Sequence, residues 1–316
     1  MSVHVLKPGL LSSVQDSGRR GHAALGISPA GAMDPAALCI ANALVGNEAG
    51  AAGIEMTVIG PRLRFDADTT IAVCGAEVDA RLDGEAVPGW RSIGVRGGQQ
   101  LDCTRIVHGA RAYLGIAGGV RADIVLGSAS ADLGGGLGPP PLQAGQVLAL
   151  GATRPRRASS MRFSIDPRPW FDSDLESPLH LLRGSHFEAL DAVSRALVFS
   201  ATFIVARDSN RVGVRLDGSP LAFSQALELV SEPVTAGTVQ LPPGGQPIVL
   251  AAEHPTTGGY PRIGQVAAVD LARLAQRRPG DRLRFVETTL ADARLRHHAR
   301  QRELAALVAA IHERDR

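Results

Sequence analysis

The sequence predicts a mainly β protein with a few short helices, and two observations carry that prediction. Glycine at 36 and proline at 20 of 316 residues, with only 4% aromatics, favour many short strands joined by tight turns over long helices. Short apolar runs also recur between turn-forming pairs such as Asp83-Gly84 and Asp217-Gly218, a strong hairpin signal.

In chain order, Val3–Leu6 reads as a strand, Pro8-Gly9 as a turn, and Val14 to Gly21 as a loop. A helix follows: Asp34 caps it, Pro35 suits its first position, and Leu38, Ala41, Leu44 and Val45 share one face before Gly46-Asn47 stops it. Ile71–Cys74, Val78–Leu82 and Arg111–Ala117 read as strands, and a glycine-rich loop from Gly127 to Gly138 runs into three prolines. The basic, small-residue span 153–160 and the aperiodic stretch up to Pro178 mark a boundary. The expected organisation is a first lobe over 1–160 with its helix near 34–45, a linker over 161–178, a second lobe over 179–287 and a C-terminal helix over 288–316.

The second lobe opens with a strand at Leu179–Leu182. Ser185 to Glu188 has the spacing of a capping box before a helix carrying Leu190, Val193, Ser194 and Leu197. Strands are expected at Thr202–Ala206, Val212–Leu216, Glu228–Glu232, Thr238–Leu241 and Pro247–Ala252, and Asp270 is expected to cap a helix over Leu271–Ala275. Leu304, Leu307, Val308 and Ile311 form an apolar stripe on the C-terminal helix. Residues 78–84 echo residues 212–218, which suits either two related barrels or a shared hairpin turn.

Composition excludes several functions. With 45% hydrophobic and 20% charged residues the balance is that of a globular protein. No apolar run approaches the ~20 residues that span a bilayer, and the first residues lack an export layout, so the cytoplasm is the expected compartment. A net charge of +2 is too mild to argue for nucleic acid. Lys7 is the sole lysine, so a phosphate-loop, Schiff-base or biotinylated lysine would have to be Lys7, in the wrong context for each. The nine histidines form no close ligand pair, which argues against a metal. Cys39, Cys74 and Cys103 are far apart and read as small apolar core residues.

Three groups of residues could carry chemistry. In the first, Gln240 and Gln246 flank a Pro-Pro-Gly-Gly turn, and Glu253-His254-Pro255 leads into Thr256-Thr257-Gly258-Gly259-Tyr260. Such a loop can bring backbone N–H groups and hydroxyls to an anion, with Glu253 or His254 moving protons; it can equally be a hairpin in which the glycines only serve the turn. In the second, Asn210, Arg211 and Arg215 offer guanidinium forks to a carboxylate or phosphate, or remain surface arginines. In the third, Gln15, Asp16, Arg19 and Arg20 share a turn in which Asp16 would be held ionised by the arginines, as a structural ion pair or as part of a site.

Pro8-Gly9-Leu10-Leu11 through Gln15-Asp16-Ser17-Gly18-Arg19, then Ser28-Pro29-Ala30-Gly31-Ala32-Met33-Asp34-Pro35, Leu126-Gly127-Ser128, Asn210-Arg211-Val212-Gly213, Gly245-Gln246-Pro247-Ile248 and Thr256-Thr257-Gly258-Gly259-Tyr260-Pro261 together resemble the allophanate hydrolase subunit 2, or biotin-dependent carboxyltransferase, family. The resemblance runs from about residue 3 to residue 287. It implies two cyclophilin-like β-barrel lobes and a partner of the allophanate hydrolase subunit 1 type, the B-type subunit of 5-oxoprolinase. For the branch that holds the C-type subunit of 5-oxoprolinase it further implies an A-type subunit of the LamB/YcsF kind, ATP as co-substrate, and opening of a small lactam, 5-oxo-L-proline, to L-glutamate. In that reading Arg211, Arg215 and the 256–259 loop would stabilise developing oxyanions, and Gln240 and Gln246 would read the lactam amide. The same family also implies a carboxyltransferase role on biotin carried by another chain, or a non-enzymatic role as antagonist of a kinase inhibitor. Three departures from the family pattern stand out: Arg183-Gly184-Ser185 where Pro-Gly-Pro is usual, Asp208-Ser209 in reversed order, and Glu253-His254-Pro255 before the Thr-Thr-Gly-Gly-Tyr run.

Overall fold

The computed structural model describes residues 1–152, 164–171, 174–227 and 229–314. Much of the boundary expected at 153–178 therefore lies outside the described residues, as does Glu228. The chain divides into two compact units, one of Met1–Arg20, Ala30–Ser173 and Leu304–Arg316, the other of Gly21–Pro29 and Asp174–Glu303.

The first unit is built on an open, half-barrel sheet. Its strands are β1 (Ser2–Lys7), β2 (Leu11–Gln15), β3 (Gly53–Thr57), β4 (Arg62–Phe65), β5 (Thr69–Leu82), β6 (Glu85–Ala86), β7 (Ile93–Val95), β8 (Gln100–Ile116) and β9 (Val147–Ala149). They run in the order β2-β3-β8-β4-β1-β9, with β5 on β8 and β6 and β7 on β5. The two runs expected at 71–74 and 78–82 are one long strand, broken in register between Gly75 and Ala80. These bulges let a 14-residue strand follow a curved sheet. Helix α1 (Pro35–Leu44) starts as expected, with Asp34 accepting the Ala37 N–H at 3.1 Å. It lies close on the sheet because Gly115 has no side chain: a Cβ there would come within 2.7 Å of the Ala41 carbonyl oxygen. Its buried face, Ala37, Leu38, Ile40, Ala41 and Leu44, joins Ile54, Met56, Ile71, Leu114 and Ile116 in one core.

The second unit is a nearly closed barrel. Its strands are β10 (Leu179–Arg183), β11 (Phe203–Val205), β12 (Gly213–Asp217), β13 (Glu232–Pro233), β14 (Thr238–Gln240), β15 (Ile248–Leu250), β16 (Thr257–Gly258), β17 (Arg262–Val266), β18 (Arg282–Leu283) and β19 (Phe285–Glu287). Eight of them follow the order β18-β11-β12-β15-β14-β17-β10-β19. The outermost strands, β18 and β19, are separated in sequence by Arg284 alone, so the two ends of the sheet come back together. Phe187, Phe203, Leu216, Val239, Val249, Ile263 and Phe285 fill the interior.

The helical details correct two expectations. The helix expected from Ser185 begins later, as α2 (Ala192–Ser200), because Asp191 is the residue whose carboxylate reaches the Ser194 N–H, at 2.6 Å. Ahead of it, Phe187–Ala189 is only a 3-10 turn. Asp270 does not cap α3 (Leu271–Ala275); its carboxylate instead accepts from the His180 N–H at 2.7 Å and from the Arg273 guanidinium at 3.1 Å. The C-terminal helix α4 (Leu290–Arg314) is 25 residues long and lies within the span expected for it. Its stripe of Leu304, Leu307, Val308 and Ile311 packs on the core of the first unit.

Candidate functional site

In the second unit the sequence-predicted loop forms a two-stranded ribbon. β13 and β16 pair with Glu232 opposite Gly258 and Pro233 opposite Thr257. The side-chain amide of Gln240 lies 2.2 Å from where a Cβ on Gly258 would stand, so any larger residue there must displace that amide. Gln240 is buried, at a bulge in the β14–β17 pairing opposite Arg262. Its Nε2 is sealed from solvent and, among the described residues, meets no hydrogen-bond acceptor. Arg262 donates to the Glu232 carboxylate and, at 3.4 Å, to the Pro233 carbonyl, tying the ribbon to the barrel. Thr257, Gly259 and Tyr260 are left exposed above the buried Gln240. Gly258→Ala is expected to displace the Gln240 amide and lower stability by about 1–3 kcal/mol, the usual cost of overpacking; a thermal melt of the purified chain checks it.

Beside the ribbon, Arg211 and Glu253 form a buried ion pair, Nε to Oε1 at 2.6 Å. Glu253 was expected to move protons and Arg211 to fork a substrate; each instead neutralises the other inside the protein, where an unpaired charge would be costly. His254 is buried next to this pair, and its Nδ1 lies 2.8 Å from the Pro255 carbonyl oxygen. A carbonyl only accepts, so Nδ1 carries the proton and the Nε2 lone pair is left to act as a base. Burial holds the His254 pKa below its ordinary value, against the smaller upward pull of the Pro255 carbonyl.

Three further candidates have structural duties. Arg215 points outward, 52% exposed, and pairs with Asp208 at 3.0 Å. Gln246 accepts from the Gly218 N–H at 3.0 Å and donates to the Gly218 carbonyl at 3.1 Å, clamping the turn after β12 instead of reading an amide. The Asn210 side-chain oxygen accepts from the Val212 N–H at 2.8 Å, an Asx turn leading into β12.

In the first unit, Gln15, Asp16 and Arg19 come together in a buried knot, but not as the ion pair expected. Asp16 accepts from Ser128 Oγ and Ser130 Oγ at 2.6 Å each, from the Ala129 N–H at 2.7 Å and from the Gly18 N–H at 2.8 Å. Burial pushes the Asp16 pKa up, but the donors from Ser128, Ser130, Gly18 and Ala129 together outweigh it and hold the carboxyl below its usual range. Arg19, only 1% exposed, donates to the Ser130 and Val125 carbonyls. Gln15 Nε2 donates to Ser13 Oγ and the Ala131 carbonyl. Sequence reasoning missed Ser128 and Ser130 as partners of Asp16; their alternating Ser-x-Ser spacing beside a glycine-rich loop was the available signal. It also missed Glu55 and Tyr113. The Tyr113 hydroxyl donates to Glu55 at 2.8 Å and accepts the Asp34 N–H at 2.7 Å, fixing the start of α1.

Residues 25–287 match the family described as carboxyltransferase domain, subdomain A and B. The chain belongs to this carboxyltransferase family. The matched range takes in the whole ribbon and the Arg211–Glu253 pair, and begins after the Asp16–Arg19 knot. Among relatives, this carboxyltransferase-family chain is 36% identical to the C-type subunit of 5-oxoprolinase from Escherichia coli, over 98% of both proteins. It is 35% identical to the C-type subunit of 5-oxoprolinase from Haemophilus influenzae, over 89% of this chain and 90% of that protein. Its fold superposes on the urea amidolyase of K. lactis with a TM-score of 0.89 and 27% identity, over 97% of this chain and 20% of that much longer one. Among the described residues no helix is long and apolar enough to cross a membrane, and no group of three or more His, Cys, Asp or Glu is placed to hold a metal ion.

Proposed function

We propose that the chain is the C-type subunit of an ATP-dependent 5-oxoprolinase, a hydrolase that opens 5-oxo-L-proline to L-glutamate with ATP as co-substrate. One observation carries the reading: the likeness to the Escherichia coli 5-oxoprolinase C-type subunit covers 98% of both chains, at 36% identity. The chain works with a B-type subunit of the allophanate hydrolase subunit 1 kind and an A-type subunit of the LamB/YcsF kind. A lactam carbonyl is a poor electrophile. Transfer of the ATP γ-phosphoryl group to its oxygen, with ADP leaving, activates the carbon to attack by water. The ring C–N bond then breaks with a proton going to nitrogen, and hydrolysis of the resulting acyl phosphate releases phosphate and L-glutamate; anionic charge develops on the way, where donors are needed. The ribbon supplies such donors: the Gly258 and Gly259 backbone, the Thr256 and Thr257 hydroxyls, the Tyr260 hydroxyl and the unspent Gln240 Nε2 at its base. His254 takes a proton of the attacking water through Nε2, its Nδ1 held by the Pro255 carbonyl.

Co-expression with the two partner subunits, followed by an assay of ADP release, tests the reading: release must depend on 5-oxo-L-proline. Release without that dependence, or none from a well-assembled complex, rejects it. In that event the likeness to K. lactis urea amidolyase makes carboxyl transfer to or from biotin on a separate chain the second reading. For the residues, Gln240→Ala is expected to lower kcat of the complex at least tenfold. Because the His254 pKa is lowered from 6.5, the neutral base persists below that pH. The acid limb of kcat/KM is therefore expected below pH 6.5, and it should vanish in His254→Gln. A limb unchanged in that variant excludes His254 as the base.

A further inference from the structure

A second candidate site lies in the first unit and is lined by none of the residues assigned above to the reaction. A pocket of about 370 Å³ opens between the 121–125 segment, the 138–140 turn and β9, at the small end of the ~300–1,000 Å³ range of ligand pockets. Its floor is apolar: Val14, Val125 and Leu148 line it, and Val14 and Leu148 belong to the buried core. Its wall carries Arg121 and Asp123. They stand two residues apart, of opposite charge and both exposed, and among the described residues neither side chain has a hydrogen-bond or ion-pair partner, the other included. Gln146 adds an amide: its Oε1 is taken by the Gln143 N–H at 3.1 Å, which leaves its NH₂ for a ligand.

We propose that this pocket binds a small molecule bearing a carboxylate next to an N–H donor on a short apolar frame, the chemistry shared by α-amino acids and their lactams. Arg121 takes the carboxylate in a fork. Asp123 accepts the N–H, and the apolar frame covers Val14, Val125 and Leu148. A carboxylate alone would satisfy Arg121 but leave Asp123 without a donor, and a cation alone would meet Arg121; a ligand with both a carboxylate and an N–H satisfies both side chains. The wall behind the pocket is rigid, because Arg19 holds Val125 and the 130–138 loop from inside through the Val125 and Ser130 carbonyls. The site therefore needs little ordering when a ligand enters.

The proposal concerns binding by this chain alone and stands whether or not the lactam reaction does. Calorimetric titration of the full-length chain with L-glutamate and, separately, with 5-oxo-L-proline tests it. Propionate serves as the carboxylate without an N–H, and 2-pyrrolidinone as the lactam without a carboxylate. At least one of the first two is expected to bind, and which one distinguishes amino acid from lactam. Arg121→Ala should weaken that binding at least tenfold and Asp123→Asn about fivefold, with melting temperatures unchanged because both side chains are exposed. Absence of binding by both ligands overturns the proposal. So does unchanged affinity in Arg121→Ala, or propionate binding as tightly as either test ligand.

Discussion

Glu253→Ala is expected to destabilise the second unit by about 3–5 kcal/mol, the usual cost of leaving one member of a buried ion pair alone. Arg211 is 3% exposed and cannot turn to water for the lost partner. The penalty includes the desolvation of a buried guanidinium that has lost its carboxylate at 2.6 Å, beyond the loss of one hydrogen bond. That distinction makes a second variant informative. Replacing both residues, Arg211→Met with Glu253→Leu, removes both charges and should recover most of the loss. Urea denaturation of the parent, the single variant and the double variant measures the three stabilities. A single-variant loss below about 1 kcal/mol would mean that the pair is solvated in a way its burial does not suggest. A double variant that stays stable yet supports no ADP release in the complex would separate a catalytic part for the pair from its effect on folding.

Asp16→Ala should be comparably severe in the first unit. It strips two serine hydroxyls and two backbone N–H groups of one acceptor at a stroke. Hydrogen bonds to a charged acceptor are worth ~1.5–3 kcal/mol each, and the four share one centre, so a total of about 3–5 kcal/mol is expected. Asp16→Asn keeps the shape but puts an NH₂ against donors, and should recover less than half of the loss. The pH dependence has a definite sign. The folded carboxyl titrates below the 3.8 of the unfolded chain, so its contribution is whole above that pH and is lost as the pH falls through the lower folded value. Acid unfolding of the parent should therefore steepen below pH 3.8, and Asp16→Ala should flatten that limb while lowering stability near neutrality. An acid limb identical in the two proteins would show that Asp16 is not what holds the knot.

Much of the fold was legible in the residues. The Asp34-Pro35 start of α1 obeys local rules: a carboxylate accepts the third N–H and proline fixes the first φ. The apolar stripe Leu304, Leu307, Val308 and Ile311 was equally plain, since helical period alone places four such side chains on one face. Strand ends were harder. Nothing local distinguishes a loop between residues 75 and 77 from a bulge inside one strand, because the difference lies in the partner strand, β8. The false capping box at Ser185 has the same origin: its spacing is right, but the chain there turns once and leaves Asp191, whose carboxylate meets the Ser194 N–H, to start the helix.

For chemistry the division is sharper. The sequence alone determined which groups exist: a single lysine, no ligand-spaced histidines, arginine as nearly all the positive charge, and a Thr-Thr-Gly-Gly-Tyr run suited to close backbone approach. It could not tell which arginines and acids are spent on each other. Arg211 and Arg215 are four residues apart and chemically identical, yet one is sealed against Glu253 and the other lies in water beside Asp208. On a strand, residues four apart share a face, but Arg211 precedes β12 in an Asx turn, which swings it inward. Only the tertiary structure decided that, because burial and pairing depend on what another part of the chain brings across: Glu253, 42 residues on, for Arg211, and Ser128 and Ser130, more than a hundred residues on, for Asp16.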